Sequence, residues 1–232
     1  MAAVKVMCSN SMRGVMEEIL PQFEKSSGHK IAISYDPAKL MLKRIRSGET
    51  ADLAIIGAGA IGELAKEGIV APDTRVLARS SIGMAVRSGA PKPDISSIEA
   101  FKAAILNAQS VAYTIDGASG MHFADLIERL GIAEAVQAKA RRQPGGLVGE
   151  LVARGEAEIA IQQISELMAV RGVEVIGPIP QALQKTTVVA AGIFSTAPEA
   201  DAARALLAFV STPAAAEVIK AKGLESPGET PL

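Results

Sequence analysis

Tryptophan is absent from this 232-residue chain, and aromatic residues make up only 3 % of it. Stacking platforms for sugars or single-stranded nucleic acid are built from such rings, so both ligand classes are disfavoured. A net charge of −1 adds no basic footprint, and no nucleic-acid partner is expected. Cys8 is the only cysteine, which rules out an intrachain disulfide and any CxxC metal or redox motif. Set in an apolar run, it reads as a buried structural thiol. No apolar run reaches membrane-spanning length, and no basic, apolar leader with a small-residue cleavage site precedes the first expected strand. The expected location is the cytoplasm, or the periplasm where a leader has been removed.

What is present is apolar bulk in regular alternation. Nearly half the residues are hydrophobic, enough for one large domain or two modest lobes with their own cores. Apolar residues at Met12, Val15, Met16, Ile19, Leu20 and Phe23 form a helical stripe, with Ser11 as the expected N-cap and Gly28 as the stop. A strand at 30–35, a helix at 38–46 and a continuously apolar strand at 51–56 follow, and the pattern continues with further strands at 81–86, 111–114 and 159–161. Helices are expected at 61–67, 97–107, 121–130 and 147–154. Such alternation predicts an α/β class with parallel sheets. The Pro-rich stretch at 90–94 and the segment 186–194 read as places where the chain passes between lobes.

Two turns stand out chemically. Val4-Lys5-Val6-Met7-Cys8 runs through Ser9-Asn10-Ser11 into a helix, and Val111-Ala112-Tyr113-Thr114 runs through Asp116-Gly117-Ala118-Ser119-Gly120 into another. A strand that passes through a hydroxyl-rich turn into a helix aims backbone N–H groups, side-chain donors and the positive end of the helix dipole at one point, which suits an anion. Gly57-Ala58-Gly59-Ala60-Ile61-Gly62 matches the dinucleotide-binding fingerprint by letter. Gly68 cuts its helix short and Pro72 falls where the next strand should end, so it reads as a glycine-rich turn and no cofactor is expected, a nicotinamide or flavin enzyme being the minor alternative.

Several segments together resemble the type II periplasmic substrate-binding proteins, in their molybdate-binding-protein-like branch of ABC transporter solute receptors. They are Val6 to Met12 leading on to Phe23, Gly48-Glu49-Thr50-Ala51-Asp52-Leu53-Ala54-Ile55-Ile56, Ala118-Ser119-Gly120 leading to Leu130-Gly131, the run from Leu151 through Gly155 to Ile161, and the tail from Phe209 through Pro213 to Leu224. The resemblance implies two Rossmann-like α/β lobes with mostly parallel sheets joined by a two-strand hinge. Lobe 1 is expected at 1–82 and 190–232 and lobe 2 at 83–189, with a ligand cleft between them. It also implies a monomer that holds a small anion and can meet an ABC transporter permease.

Carried over by position, the resemblance makes Ser11 a hydroxyl ligand, with Ser9 and Asn10 beside it. Ser119, with Gly120, and Gly145 fall where the family offers backbone N–H groups. A serine position of molybdate binders falls at Pro37-Ala38-Lys39, and a tyrosine position falls at Gln163, with Gln162 adjacent. Lys39 brings a point charge and Gln163 a planar amide, a pair better suited to a carboxylate than to a tetrahedral metal oxyanion. Of Arg141 and Arg142, one could reach a second carboxylate, and Arg142 is taken as the ligand. The expected activity is capture of a small anion, an organic carboxylate before a molybdate-like oxyanion, with no catalytic residue. The alternative is a cofactor-free isomerase of a small polycarboxylate such as aconitate, with His122 or Lys39 as base. His29 reads as a surface-turn residue.

Overall fold

The structure, a computed structural model, describes residues 3–227. In chain order the first elements are β1 (Ala3–Ser9), a 3-10 turn (Asn10–Met12), α1 (Arg13–Ser27), β2 (Lys30–Asp36), α2 (Ala38–Arg46), β3 (Leu53–Gly57), α3 (Ala58–Lys66), β4 (Arg75–Ser80) and β5 (Ile82–Arg87). Then come α4 (Ile98–Asn107), β6 (Val111–Thr114), α5 (Ala118–Arg129), α6 (Ala133–Gln137), β7 (Ala140–Gln143), α7 (Gly149–Ala153) and β8 (Ile159–Gln163). The chain closes with α8 (Ile164–Met168), β9 (Val173–Pro178), a 3-10 turn (Gln181–Leu183), β10 (Thr187–Ile193), α9 (Ala200–Val210) and α10 (Pro213–Ala221).

These elements form two compact units. One holds the residues up to Ser80 together with those from Thr187 on, and the other is Ser81–Thr186. The Pro-rich stretch at 90–94 therefore lies inside the second unit rather than at a crossing. Residues 1–2 and 228–232, assigned to lobe 1 from the sequence, lie outside the described residues.

The first unit is built on a five-stranded sheet of order β2-β1-β3-β10-β4. β1 pairs with β2 and β3 in parallel, while β10 runs antiparallel to β3 and β4. Successive side chains of a strand face opposite sides, so a strand covered on both faces reads as unbroken hydrophobicity. β3 does this: Leu53 and Ile55 join Val4, Val6 and Cys8 under α1, α9 and α10, whereas Ala54 and Ile56 join Met7 in the cluster that holds Met41, Ile45, Ile61 and Leu64. Helix α1 buries the stripe Val15, Met16, Ile19, Leu20 and Phe23, and Gly28 ends it in the left-handed conformation (φ 76°) with its N–H on Glu24 O. Asp52, 2 % exposed, ties three segments together by accepting the Lys5 and Glu199 N–H groups at 2.7 and 2.9 Å.

The second unit repeats the plan with a sheet of order β7-β6-β8-β5-β9. β6 is parallel to β7 and β8, and β5 is antiparallel to β8 and β9. Phe101, Phe123 and Ile161 lie in the larger core cluster, Val148, Val152 and Leu167 in the smaller one. Each sheet is thus mixed, two pairings parallel and two antiparallel, because the strands flanking the crossings return against the parallel core. Ser97 caps α4 through its side chain, accepting the Ala100 N–H at 3.0 Å.

The glycine-rich segment is not a turn. Gly57 ends β3, and Gly59 and Gly62 sit inside α3, where a Cβ at either would meet nothing within 4 Å. The strand after α3 lies against β10 in the sheet and not in parallel beside β3, so the βαβ unit that the dinucleotide fingerprint requires is not formed.

Candidate functional site

Parallel strands end at a common edge of their sheet, and in both units the residues singled out from the sequence gather there. In the first unit Ser9 pairs in register with Asp36 and Cys8 with Ile55, which lines up the exits of β1, β2 and β3. Ser9, Asn10 and Ser11 occupy the exit of β1, and Asn10 and Ser11 are buried, at 7 % and 6 % exposure. Ser11 is not the N-cap of α1. That place falls to Met12 after an intervening 3-10 turn, and no side chain caps either helix start. The Ser9 and Ser11 hydroxyls bond one another at 2.9 Å instead. Lys39 stands exposed on the first turn of α2, at the exit of β2.

The cations farther along α2 belong to its surface. Arg44 pairs with Asp36 and Glu49, and Arg46 with Glu63 and Glu67. Cys8 is fully buried, and burial pushes its thiol pKa up. His29 stacks on Phe23, ring centroids 6.2 Å apart.

The second unit presents mainly backbone. Thr114 pairs in register with Gln143, so β6 and β7 exit side by side, with β8 on the other flank of β6. The loop after β6 and the loop after β7 are then bonded to one another: Ile115 N–H donates to Gln143 O at 2.9 Å and Asp116 N–H to Pro144 O at 3.0 Å. Gly117 is the N-cap of α5 and supplies no side chain. Ser119, 2 % exposed, and the buried Gly120 belong to the first turn of α5 itself, three residues earlier than the expected helix start. A Cβ on Gly120 would fall 1.8 Å from Thr114 O, and one on Gly117 2.3 Å from Thr114 Oγ1. Only glycine lets the start of α5 rest so closely on the end of β6.

Gly145 lies in the turn after β7, and Gly146 beside it adopts φ 83°. Arg141 and Arg142 are exposed residues of β7, an edge strand rather than a loop. Gln162 and Gln163 end β8 and are both buried, at 1 % and 3 % exposure. Gln162 accepts the Val148 N–H at 3.0 Å and donates to Gly146 O at 2.8 Å. His122 bonds the Leu183 carbonyl through Nε2 at 2.8 Å. A carbonyl only accepts, so Nε2 carries the proton and Nδ1 holds the free lone pair in the neutral ring.

Reading by motif placed Thr114 and Gly117 in the second turn without the close packing between them, and it missed Glu166. Gly117 and Gly120, three apart at the start of a helix, were the available signal for a close approach. Glu166, 9 % exposed, sits three residues after Gln163, the N-cap of α8, which is capping-box spacing with glutamine in the serine's place. Burial pushes its carboxyl pKa up to about 8, against the pull of the Gln163 N–H and the Gln162 amide.

Residues 4–225 match the family described as bacterial extracellular solute-binding protein. The chain belongs to that family. This solute-binding protein is 40 % identical over 227 residues to an aconitate isomerase of Pseudomonas sp, spanning 95 % of this chain and 86 % of the relative. It is 27 % identical over 241 residues to the molybdate-binding protein ModA of Azotobacter vinelandii, spanning 96 % and 89 %. The structure of the periplasmic molybdate-binding protein of Azotobacter vinelandii matches with a TM-score of 0.80 at 19 % identity, covering 97 % of this chain and 99 % of that one, a likeness of fold. The type II, molybdate-binding-protein-like family and the α/β fold expected from the sequence are therefore those of the chain.

Proposed function

We propose that this solute-binding protein takes a small polycarboxylate of the aconitate class and moves its double bond by proton transfer. The observation that carries the reading is the 40 % identity, over 95 % of the chain, to an aconitate isomerase. The donor sets agree with it. The Ser9 and Ser11 hydroxyls, with Asn10, would hold one carboxylate beside the Lys39 ammonium. The backbone at Ser119, Gly120 and Gly145, with the Gln163 amide and Arg142, would hold another.

The chemistry asked of the residues is modest. A base takes the proton from the allylic carbon, the C–H electron pair becomes the new double bond, and the old double bond's pair takes a proton at its far carbon. Only one proton and one double bond change place. With Lys39 as the ammonium, the His122 Nδ1 lone pair would serve as the base; Lys39 would serve instead only as the neutral amine, and would then bring no charge to the carboxylate.

Incubating the protein with cis-aconitate or trans-aconitate and following the other isomer by chromatography tests the reading. Product formed in proportion to protein supports it, and tight stoichiometric binding without product overturns the turnover. Lys39→Ala should weaken carboxylate binding about 10-fold or more, the scale of a lost charge-assisted contact. Unchanged carboxylate affinity in that variant would remove lysine from the site.

The likeness to the molybdate-binding protein favours one second reading: a periplasmic receptor that captures a molybdate-like oxyanion and hands it to an ABC transporter permease. A thermal-shift screen separates the two, since the melting point rises with ligand affinity. A shift with molybdate or tungstate and none with carboxylates selects the receptor.

A further inference from the structure

Gln162 follows the apolar buried run Ile159-Ala160-Ile161 of β8, and an amide there is costly to bury unless bonded. Both ends of its side chain are used. Oε1 accepts from Val148 N–H and Nε2 donates to Gly146 O, so one side chain clasps the turn after β7 on either side of Leu147. That turn is bonded in its own right to the loop that starts α5, through Asp116 N–H on Pro144 O and Ile115 N–H on Gln143 O. The Gln162 amide also acts on the buried Glu166 carboxyl behind it. Two backbone segments proposed above to receive an anion, at Gly145 and at Ser119 and Gly120, thus trace back to one buried amide.

We infer that Gln162 is the positioning residue of the second unit's anion-binding backbone, holding the Gly145 and Gly146 turn directly and the start of α5 through the bonded loops. It touches no substrate. The inference rests on the reading of those two segments as ligand-binding. A side chain that merely filled space could be exchanged for a hydrocarbon of similar size with no effect on either loop. Gln162 could not, because leucine would leave Val148 N–H and Gly146 O without partners.

Gln162→Leu and Gln162→Glu, assayed with aconitate and with molybdate, test this. Gln162→Leu should raise KM or Kd about 10-fold or more while leaving any kcat within about two-fold, because binding geometry and not the proton transfer is disturbed. Gln162→Glu adds a readout that packing alone would not give. A protonated glutamic acid offers a carbonyl and an O–H where glutamine offers a carbonyl and an N–H, so affinity should return at acid pH. Once ionised it has no donor for Gly146 O, and affinity should fall at alkaline pH by more than in the wild type.

Wild-type affinity in Gln162→Leu, or a Gln162→Glu affinity that tracks the wild type at every pH, overturns the inference. If the wild-type protein binds neither aconitate nor molybdate, the proposed function falls, and amide shifts in the ligand-free protein decide the positioning role. Shifts in Gln162→Leu that reach Gly146, Val148 and Asp116 support it, and shifts confined to the chain neighbours of residue 162 overturn it.

Discussion

The two units expose the same edge of the same kind of sheet, yet they furnish it differently. The first offers side chains: the Ser9 and Ser11 hydroxyls bond one another and cap no helix. The second offers backbone, set by glycines that admit no Cβ and by loops bonded to each other and to Gln162. A donor carried by a side chain can be deleted without disturbing the chain around it. A donor carried by the backbone can be removed only by moving the fold that holds it, so the same functional loss should cost stability in one unit and not in the other.

Gly120→Ala attacks the backbone edge and should have the largest effect. Its Cβ would overlap Thr114 O, so α5 must back away, at a cost of about 3 kcal/mol. Urea denaturation should show a lowered midpoint, and ligand binding should be lost with it. The next effect concerns pH. Glu166 titrates at about 8 in the folded protein against an ordinary value of 4.5, so between those values the folded state holds a proton that the unfolded state has released. Stability from this group is therefore full below about pH 4.5 and is lost as pH rises through 8. Gln in its place should flatten that slope and leave Glu166→Gln more stable than the wild type at pH 9, in parallel melts at pH 5 and 9.

Ser11→Ala should weaken ligand affinity about 10-fold in calorimetry while moving the unfolding midpoint little, since its hydroxyl bonds only another hydroxyl among the bonds described. Ser119→Ala is the matched control and the smallest effect. At that position the proposed donor is the N–H, which alanine keeps, so affinity should change by less than about two-fold. Equal losses in the two variants would erase the distinction between a side-chain edge and a backbone edge.

The same distinction decides what could be read from the sequence. Alternating strands and helices were legible wherever the hydrophobic period was clean: the helix expected at 38–46 and the strand at 111–114 match α2 and β6. The strand β7, Ala-Arg-Arg-Gln, was not, because an exposed edge strand has no buried face to impose a period. The glycines of α3 imitated a nucleotide loop because a fingerprint counts letters while the helix asks only for space. Ser9 and Ser11 could be singled out because hydroxyls announce a donor in the letter itself. Glu166 and the clasp of Gln162 depend on which segments come together in the fold, and no local pattern records that.

The course of the chain has a further consequence. β10, which lies between β3 and β4 in the first sheet, begins at Thr187, after the whole second unit has been written. In a chain that folds from its N-terminus, β4 has no neighbouring strand and β3 keeps an open edge until β10 is in place, whereas Ser81–Thr186 is one continuous stretch able to fold by itself. Contacts that close over so long a separation in sequence form late. The unit whose residues come first is thus the one completed last, and through that interval it carries unpaired strand edges of the kind that chaperones shield from aggregation.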